Sequence, residues 1–475
     1  FKQKTAYEIY QCDWSSDVCS SDLSAGGDGI DARNMNAANT GTITITANDA
    51  ISGALSGWGV LARNYGVGGT IVTTGAAGDI SGNAFGGILA YANGGGVTVH
   101  NNGDVGTSGN AVTNDGVRAV NGGTGDILVD GSGAIFAGAE GIDARNYAAN
   151  GDVTVNLTAA TADITASGNG INAWALGGGD NDVTVFSNGT ITSGGSGVYA
   201  FASAGTGTMT ITTNDVIDAS GNGIRALNNA TGGNTINQNA AITGNAFYGI
   251  VATAGGGNLS IHDNANIGSS GNAVGGDGIY ASLFGGSGTL LIDGSGAIFA
   301  DNHGIAAYTS SSGADTNINL TSASADITAG ADGIHTRGTG AGDGDVTIFT
   351  NGTISAGQDG IDARITNSTN TGTITITAND AITGALSGWG IFADNYSTSG
   401  GVVVTTGANG DISGNASAGI FARSSGGGVT VHNNGDIGDN DVTIFTNGTV
   451  TSGGDRKSTR LNSSHTDISR MPSSA

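Results

Sequence analysis

The sequence predicts an all-β fold: a right-handed parallel β-helix (β-solenoid) of about fifteen coils, each of about 28 residues and three short strands. Three observations carry this expectation. A short signature recurs along the chain at a nearly constant interval, apolar residues alternate within runs too short for helices, and the repeat region is free of proline.

The signature is Gly, then Ile or Val, then any residue, then usually Ala. It begins at Gly29, Gly59, Gly87, Gly116, Gly141, Gly170, Gly197, Gly223, Gly249, Gly278, Gly304, Gly333, Gly360, Gly390 and Gly419. Starts lie 25 to 30 residues apart, and periods of this size mark solenoids and arrays.

Within each unit, three apolar runs are separated by Gly, Asn and Asp. In the first they are Ile30–Ala32, Thr42–Thr46 and Ala50–Ile51; in the third, Ile88–Ala90, Val97–Val99 and Asp104–Val105. Alternation puts Ile43 and Ile45 on one side and Thr42, Thr44 and Thr46 on the other, the two-residue period of a strand. Gly and Asn tolerate positive φ and suit sharp corners. No 3.6-residue pattern appears. Interior strands must donate to ladders on both sides, which fits the lack of proline. A propeller blade would need four strands in about 40–50 residues, and these units are too short.

A longer repeat overlies the short one. TGTITITANDAI at Thr40–Ile51 returns at Thr371–Ile382, and DGSGAIFA at Asp130–Ala137 returns at Asp293–Ala300. The super-repeat is six coils long. One register break falls at Gly438–Asp439, where the next signature is skipped and DNDVTIFTNGT follows instead.

Both ends differ from the middle. Residues 1–23 and 455–475 hold Cys12, Cys19, Pro472, Lys2, Lys4 and Lys457, and residues 24–454 contain no Cys, Pro or Lys. Asp13–Asp22 back-translates to a nucleotide string whose reverse complement, read one base out of frame, codes for Arg456–Ser464. The two ends resemble one sequencing-library adapter translated in its two orientations. They are expected to be non-native, disordered segments flanking a β-solenoid domain at 24–454.

In the repeat region, eight arginines face 33 acidic residues, which accounts for the whole net charge of −25. A field of that sign disfavours nucleic acid and anionic membranes as partners. No run approaches the ~18 apolar residues of a membrane span. Without cysteine the fold must be held by burial and hydrogen bonds.

Motifs that suggest chemistry are each met by a plainer reading. GGDGID at Gly26–Asp31 is similar to a calcium nonapeptide, but that motif recurs every nine residues. The pairs Asp180/Asp182, Asp343/Asp345 and Asp439/Asp441 offer oxygen ligands for a hard cation, yet also suit solvated, Asp-capped turns. His100, His262, His303, His335 and His432 have no second His or Cys at ligand spacing along the chain. The glycine-rich stretches lack the Gly-Lys-Ser/Thr of a phosphate loop. Threonine ranks that could order ice are irregular: TITIT gives way to ILVD at Ile127–Asp130 and TINQN at Thr235–Asn239. Arg33, Arg63, Arg145, Arg364 and Arg423 follow the Ala of the signature and hold a repeat position. No catalytic, cofactor-binding or metal site and no cofactor is expected.

The Gly-Ile-x-Ala signature, the TITIT and VTV runs, and corners such as NNGD and SNGT resemble the passenger repeats of autotransporters (type V secretion) and filamentous adhesins over nearly all of 24–454. That resemblance implies an extracellular location on a bacterial outer-membrane surface, with membrane attachment only through a C-terminal β-barrel missing from this chain. It implies a non-catalytic structural or adhesive module. The expected partners are a like solenoid or host and matrix glycans, met by the long Thr/Asn/Asp faces. Lack of cysteine fits passage through an oxidising periplasm. The alternatives are a polysaccharide-degrading, pectin-lyase-like β-helix enzyme and a passive stalk presenting a missing head.

Overall fold

The computed structural model describes residues 27–438, apart from 53–55, 82–84, 245, 384–386 and 415–416. Outside that range it gives short backbone strands at Ile9–Tyr10, Leu23–Ser24, Val442–Thr446, Val450–Gly453 and Thr459–Leu461. The segments 1–23 and 455–475, and the break after Gly438, otherwise lie outside the described residues.

The chain is an all-β parallel β-solenoid of about 14 turns with about 28 residues per turn. The described residues contain no helix, and so none long and apolar enough to cross a membrane. Two compact units divide it, Phe1–Gly286 with Phe299–Asp301, and Ser287–Ile298 with Asn302–Ala475.

Each turn contributes to three faces. The first face carries the signature, as in Ile142–Asn146, Ile171–Ala175 and Val198–Ala202. The second is built from runs such as Val153–Leu157, Val183–Ser187 and Met209–Thr213. The third is short, as in Ile135–Ala137, Ile164–Ala166 and Ile191–Ser193. Where three strands per coil were expected, the third face narrows in some turns to a one-residue bridge, at Ile80, Val105, Ile267 and Ile412.

Pairing is parallel and joins like positions of successive turns: Ile142 to Ile171 to Val198 on the first face, Val153 to Val183 to Met209 on the second. Alternate residues therefore point into the solenoid, and Ile142, Ile171, Val155, Val185 and Ile211 are wholly buried. Each buried aliphatic side chain contributes roughly 1.5–3 kcal/mol. Identical neighbours above and below let the branched side chains pack without voids.

The signature glycine is required by proximity. A Cβ at Gly170 would collide with Ile191 Cγ2 from the third face and lie 2.6 Å from the carbonyl oxygen of Gly197. The same two obstacles recur at Gly141, Gly197 and Gly333. First and third faces thus meet at a corner too tight for a side chain.

Buried polar groups close the other corners. Asn64 is fully buried and donates to the carbonyls of Gly41 at 2.9 Å, Gly68 at 3.1 Å and Gly69 at 2.8 Å; its Oδ1 accepts from the Gly66 N–H at 3.0 Å. Asn146, Asn228 and Asn395 repeat this arrangement. It satisfies carbonyls that the bend removes from the ladder. Aspartates staple turn to turn: the carboxylates of Asp126, Asp152 and Asp182 accept the backbone N–H of Asp152, Asp182 and Thr208 in the next turn.

Substituting Gly170→Ala is expected to destabilise the protein by about 1–3 kcal/mol in chemical denaturation. Gly178→Ala, where a Cβ meets nothing within 4 Å, is expected to fall within about 0.5 kcal/mol of the parent.

Candidate functional site

Counted from the Ile or Val of the signature, the second and fourth residues of each first-face strand point outward, and register stacks them into two rows. All eight arginines of the repeat region lie on this face. Arg33, Arg63, Arg145, Arg337, Arg364 and Arg423 occupy the fourth position; Arg118 and Arg225 occupy the second. Arginines dispersed in sequence are therefore aligned in space, with Arg33 beside Arg63 and Arg337 beside Arg364.

Aromatic residues share these rows. Arg145 lies 4.5 Å from the ring centroid of Trp174, Arg225 4.6 Å from Tyr199, and Arg364 4.5 Å from Phe392. Such stacking fixes the orientation of each planar guanidinium while its edge donates, as Arg145 does to Asp143 and Arg364 to Asp362.

In the first unit the rows open into a groove of about 580 Å³ lined by Trp58, Arg63, Tyr65, Phe85, Leu89, Tyr91, Asn114, Arg118 and Val120. Trp58, Leu61 and Leu89 form its buried floor, against which Tyr91 packs. Phe85, 45% exposed, meets Trp58 edge-on with centroids 5.9 Å apart, and Tyr65 lies 5.2 Å from Tyr91. Arg118 is shared between Asp115 and Asp143, both at 3.6 Å, so neither holds it tightly. Burial, with Glu140 and Asp143 nearby, pushes the Asp115 carboxyl up to about 7 against the opposing Arg118. Arg63 has no carboxylate partner among the described residues. The lining offers flat apolar surface and two guanidinium groups, and no carboxylate or imidazole.

In the second unit the same face carries an ionisable cluster. His335 Nδ1 lies 2.9 Å from Asp332 Oδ2 and 3.3 Å from Asp362 Oδ2; His303 Nδ1 lies 3.5 Å from Asp332 Oδ2. Asp362 also accepts from Arg364 Nε at 2.6 Å, and the Asp332 and Asp359 carboxylates accept the backbone N–H of Asp359 and Trp389. Burial alone would lower the His335 imidazole, but its hydrogen bonds to Asp332 and Asp362 prevail and raise it to about 9. Burial, reinforced by Asp332 and Asp362, pushes Asp359 up to about 6. Burial would also raise Asp362, yet His335 and Arg364 hold it below the ordinary carboxylate value. Asp359 and Asp362 respond oppositely because, of the two, only Asp362 accepts from both His335 and Arg364.

Of the residues singled out in the sequence, Asp182 and Asp345 act as turn caps: Asp182 accepts from Thr208 N at 2.6 Å and Oγ1 at 2.9 Å, and Asp345 from Thr373 N at 2.7 Å. Asp180 accepts from the Thr206 hydroxyl. Asp439 and Asp441 lie outside the described residues. His100, His262 and His432 sit on second-face strands, His100 paired with Asp130 at 2.5 Å. The structure brings together His303 and His335, which are far apart in sequence, with Asp332, Asp359 and Asp362. Ligand spacing along the chain could not reveal this. The signal was an offset of one repeat: 303 to 332, 332 to 359 and 335 to 362.

One buried carboxylate has no such support. Asp263 ends the second-face strand Leu259–Asp263, is 1% exposed, and neither oxygen finds a partner among the described residues. Ser187, Thr213 and Gln238 fill the like position in preceding turns. Burial pushes its carboxyl well above the ordinary 3.8.

Comparison of the chain with protein-family models, curated proteins and solved structures gives no match.

Because its folded-state pKa is raised, Asp263 contributes most favourably below the unfolded value, and that contribution is lost as pH rises above it. Thermal melts of the parent are expected to lose stability from about pH 4 upward as this carboxyl is forced to ionise. Asp263→Asn should remove that part of the pH dependence and raise the melting temperature near neutral pH.

Proposed function

We propose that this chain is a non-catalytic adhesive module of a bacterial surface, part of an autotransporter-like passenger, and that it holds acidic glycans on its first face. The observation that carries this reading is the groove at Trp58, Phe85 and Tyr91, with Arg63 and Arg118 at its edge. Aromatic faces suit the apolar faces of sugar rings, while a guanidinium fork suits a uronate or other sugar carboxylate. A concave apolar surface with a few convergent polar groups is the usual form of such a site. In a chain of net charge −25, an arginine without a carboxylate partner is a local exception to the field, and it favours a carboxylated ligand. The groove thus shifts the contact surface from the Thr/Asn/Asp faces to the arginine–aromatic rows. Its lining supplies no acid–base pair, which favours holding a ligand over cleaving it.

The competing reading is a polysaccharide-degrading enzyme. It draws on the second unit, where His335, Asp332, Asp359 and Asp362 place raised and lowered titrating groups on the same face. Perturbed groups of this kind also arise in structural ion networks.

The test is calorimetric titration of the chain with oligogalacturonate, alongside a neutral glucan oligosaccharide and an assay for new unsaturated or reducing ends. Binding of the acidic sugar without cleavage is expected. Arg63→Gln should weaken it about tenfold, equal to about 1.4 kcal/mol. Phe85→Ala, at a half-exposed side chain, should weaken it comparably, and Thr184→Val on the second face should not. Product formation would favour the enzyme; binding unaffected by Arg63→Gln and Phe85→Ala would remove the groove from the account.

A further inference from the structure

We infer that His303, Asp332 and His335, joined by Asp362, form a binding site for one divalent transition-metal ion of the zinc type. Ligand atoms of His303, Asp332 and His335 all lie within 4.8 Å of one another. The separations, 2.9 Å, 3.3 Å and 3.5 Å, bracket the roughly 3.4 Å edge of a tetrahedron with metal–ligand bonds near 2.1 Å. Asp332 is 4% exposed, His335 7% and Asp362 2%, so the pocket is closed on the side of the solenoid wall.

The donor set selects the metal. Two imidazoles and one or two carboxylates suit zinc, cobalt or nickel, and calcium would need six to eight oxygens. One oxygen of Asp332 and one of Asp359 accept backbone N–H groups, and one of Asp362 accepts from Arg364, which leaves too few for calcium. The backbone N–H of Asp332 lies 3.3 Å from His303 Nδ1 and donates to it. That nitrogen is therefore unprotonated, and binding an ion there exchanges this hydrogen bond for a metal bond. Arg364 on Asp362 acts as an outer partner that fixes the carboxylate.

A second, independent observation comes from the six-coil repeat. The copy of this region in the first unit, matched through Asp130–Ala137 and Asp293–Ala300, carries Glu140, Asn169, Asn172 and Tyr199 where the second carries His303, Asp332, His335 and Asp362. Flanking sequence is kept: ADITA stands at Ala162–Ala166 and again at Ala325–Ala329. All four positions thus differ together. In the first copy the slot is closed by a neutral hydrogen bond, Asn169 Nδ2 to Asn172 Oδ1 at 3.0 Å, which needs no ion. At the positions of Asn169 and Asn172 the fold does not require charge, and there the two copies differ in whether they offer metal donors.

The experiment is titration of the full 475-residue chain, stripped with chelator, with cobalt(II) and then zinc(II). Absorption in the visible region reports coordination and melting temperature reports stabilisation. The comparison protein is the double variant Asp332→Asn/His335→Asn, whose residues the first copy already accommodates. Cys12, Cys19 and His465 are common to both and cancel. Expected is one more equivalent of cobalt in the parent than in the variant, with the intense absorption of a four-coordinate site, displaced by zinc, and a zinc-dependent rise in melting temperature that the variant lacks. His303→Ala should abolish the same signal. Equal stoichiometry in parent and variant, or a parent spectrum of the weak six-coordinate kind, would overturn the assignment.

Discussion

No turn of this chain can bury its apolar residues alone; each does so only against the turn before and the turn after. That constraint, acting through parallel ladders in constant register, fixes nearly every other feature. It stacks Ile142 on Ile171 and Val198 inside the solenoid, and it stacks Arg145 on Trp174 and Phe201 outside it by the same bonds. It also demands glycine where the first and third faces meet, because successive turns leave no room for a Cβ at Gly170. Stability accumulates between neighbours along such a chain, and a change to one turn is felt by two others.

Register also explains why the fold was legible in the sequence and the sites were not. The period of about 28 residues and the alternation in runs such as Thr42–Thr46 depend on composition alone and survive any choice of outward residue. The outward residues carry no such pattern. Read along the chain, His303 and His335 are isolated and Arg63 and Arg118 belong to different coils. Read across the ladder, each is one step from its functional neighbours. Only an offset of one repeat would have shown this, and the exact offset varies from turn to turn because the corners differ in length. The aromatic groove was harder still. Trp58 and Phe85 stand just before the signature, and nothing in the sequence says that the bend there turns them over Leu89 and Tyr91.

The three faces divide the work unequally. The third is thin and serves to close the turn. The second carries outward threonines and asparagines interrupted by residues such as Leu128, Phe186 and His262, with Asn237 donating to the Thr212 hydroxyl. The first varies most between turns, carrying every arginine of the repeat region, the groove and the histidine–carboxylate cluster. A scaffold whose core is satisfied by inward Ile, Val and Ala leaves the outward rows of one face free to differ, and internal duplication supplies spare copies in which they can. The contrast between Asn169/Asn172 and Asp332/His335 at matched positions is one product of that freedom.

The central claim is the register itself, and distance measurement across one ladder step tests it most directly. With Cys12 and Cys19 replaced by serine, nitroxide labels at Thr154 and Thr184, outward partners on adjacent second-face strands, stand on backbones separated by about 4.8 Å. Continuous-wave electron paramagnetic resonance should show strong dipolar broadening for this pair. A pair at Thr154 and Ser167, closer in sequence but on different faces, should show far less. Narrow lines from Thr154 and Thr184, with broadening at the nearer pair, would contradict the stacked register on which the account rests.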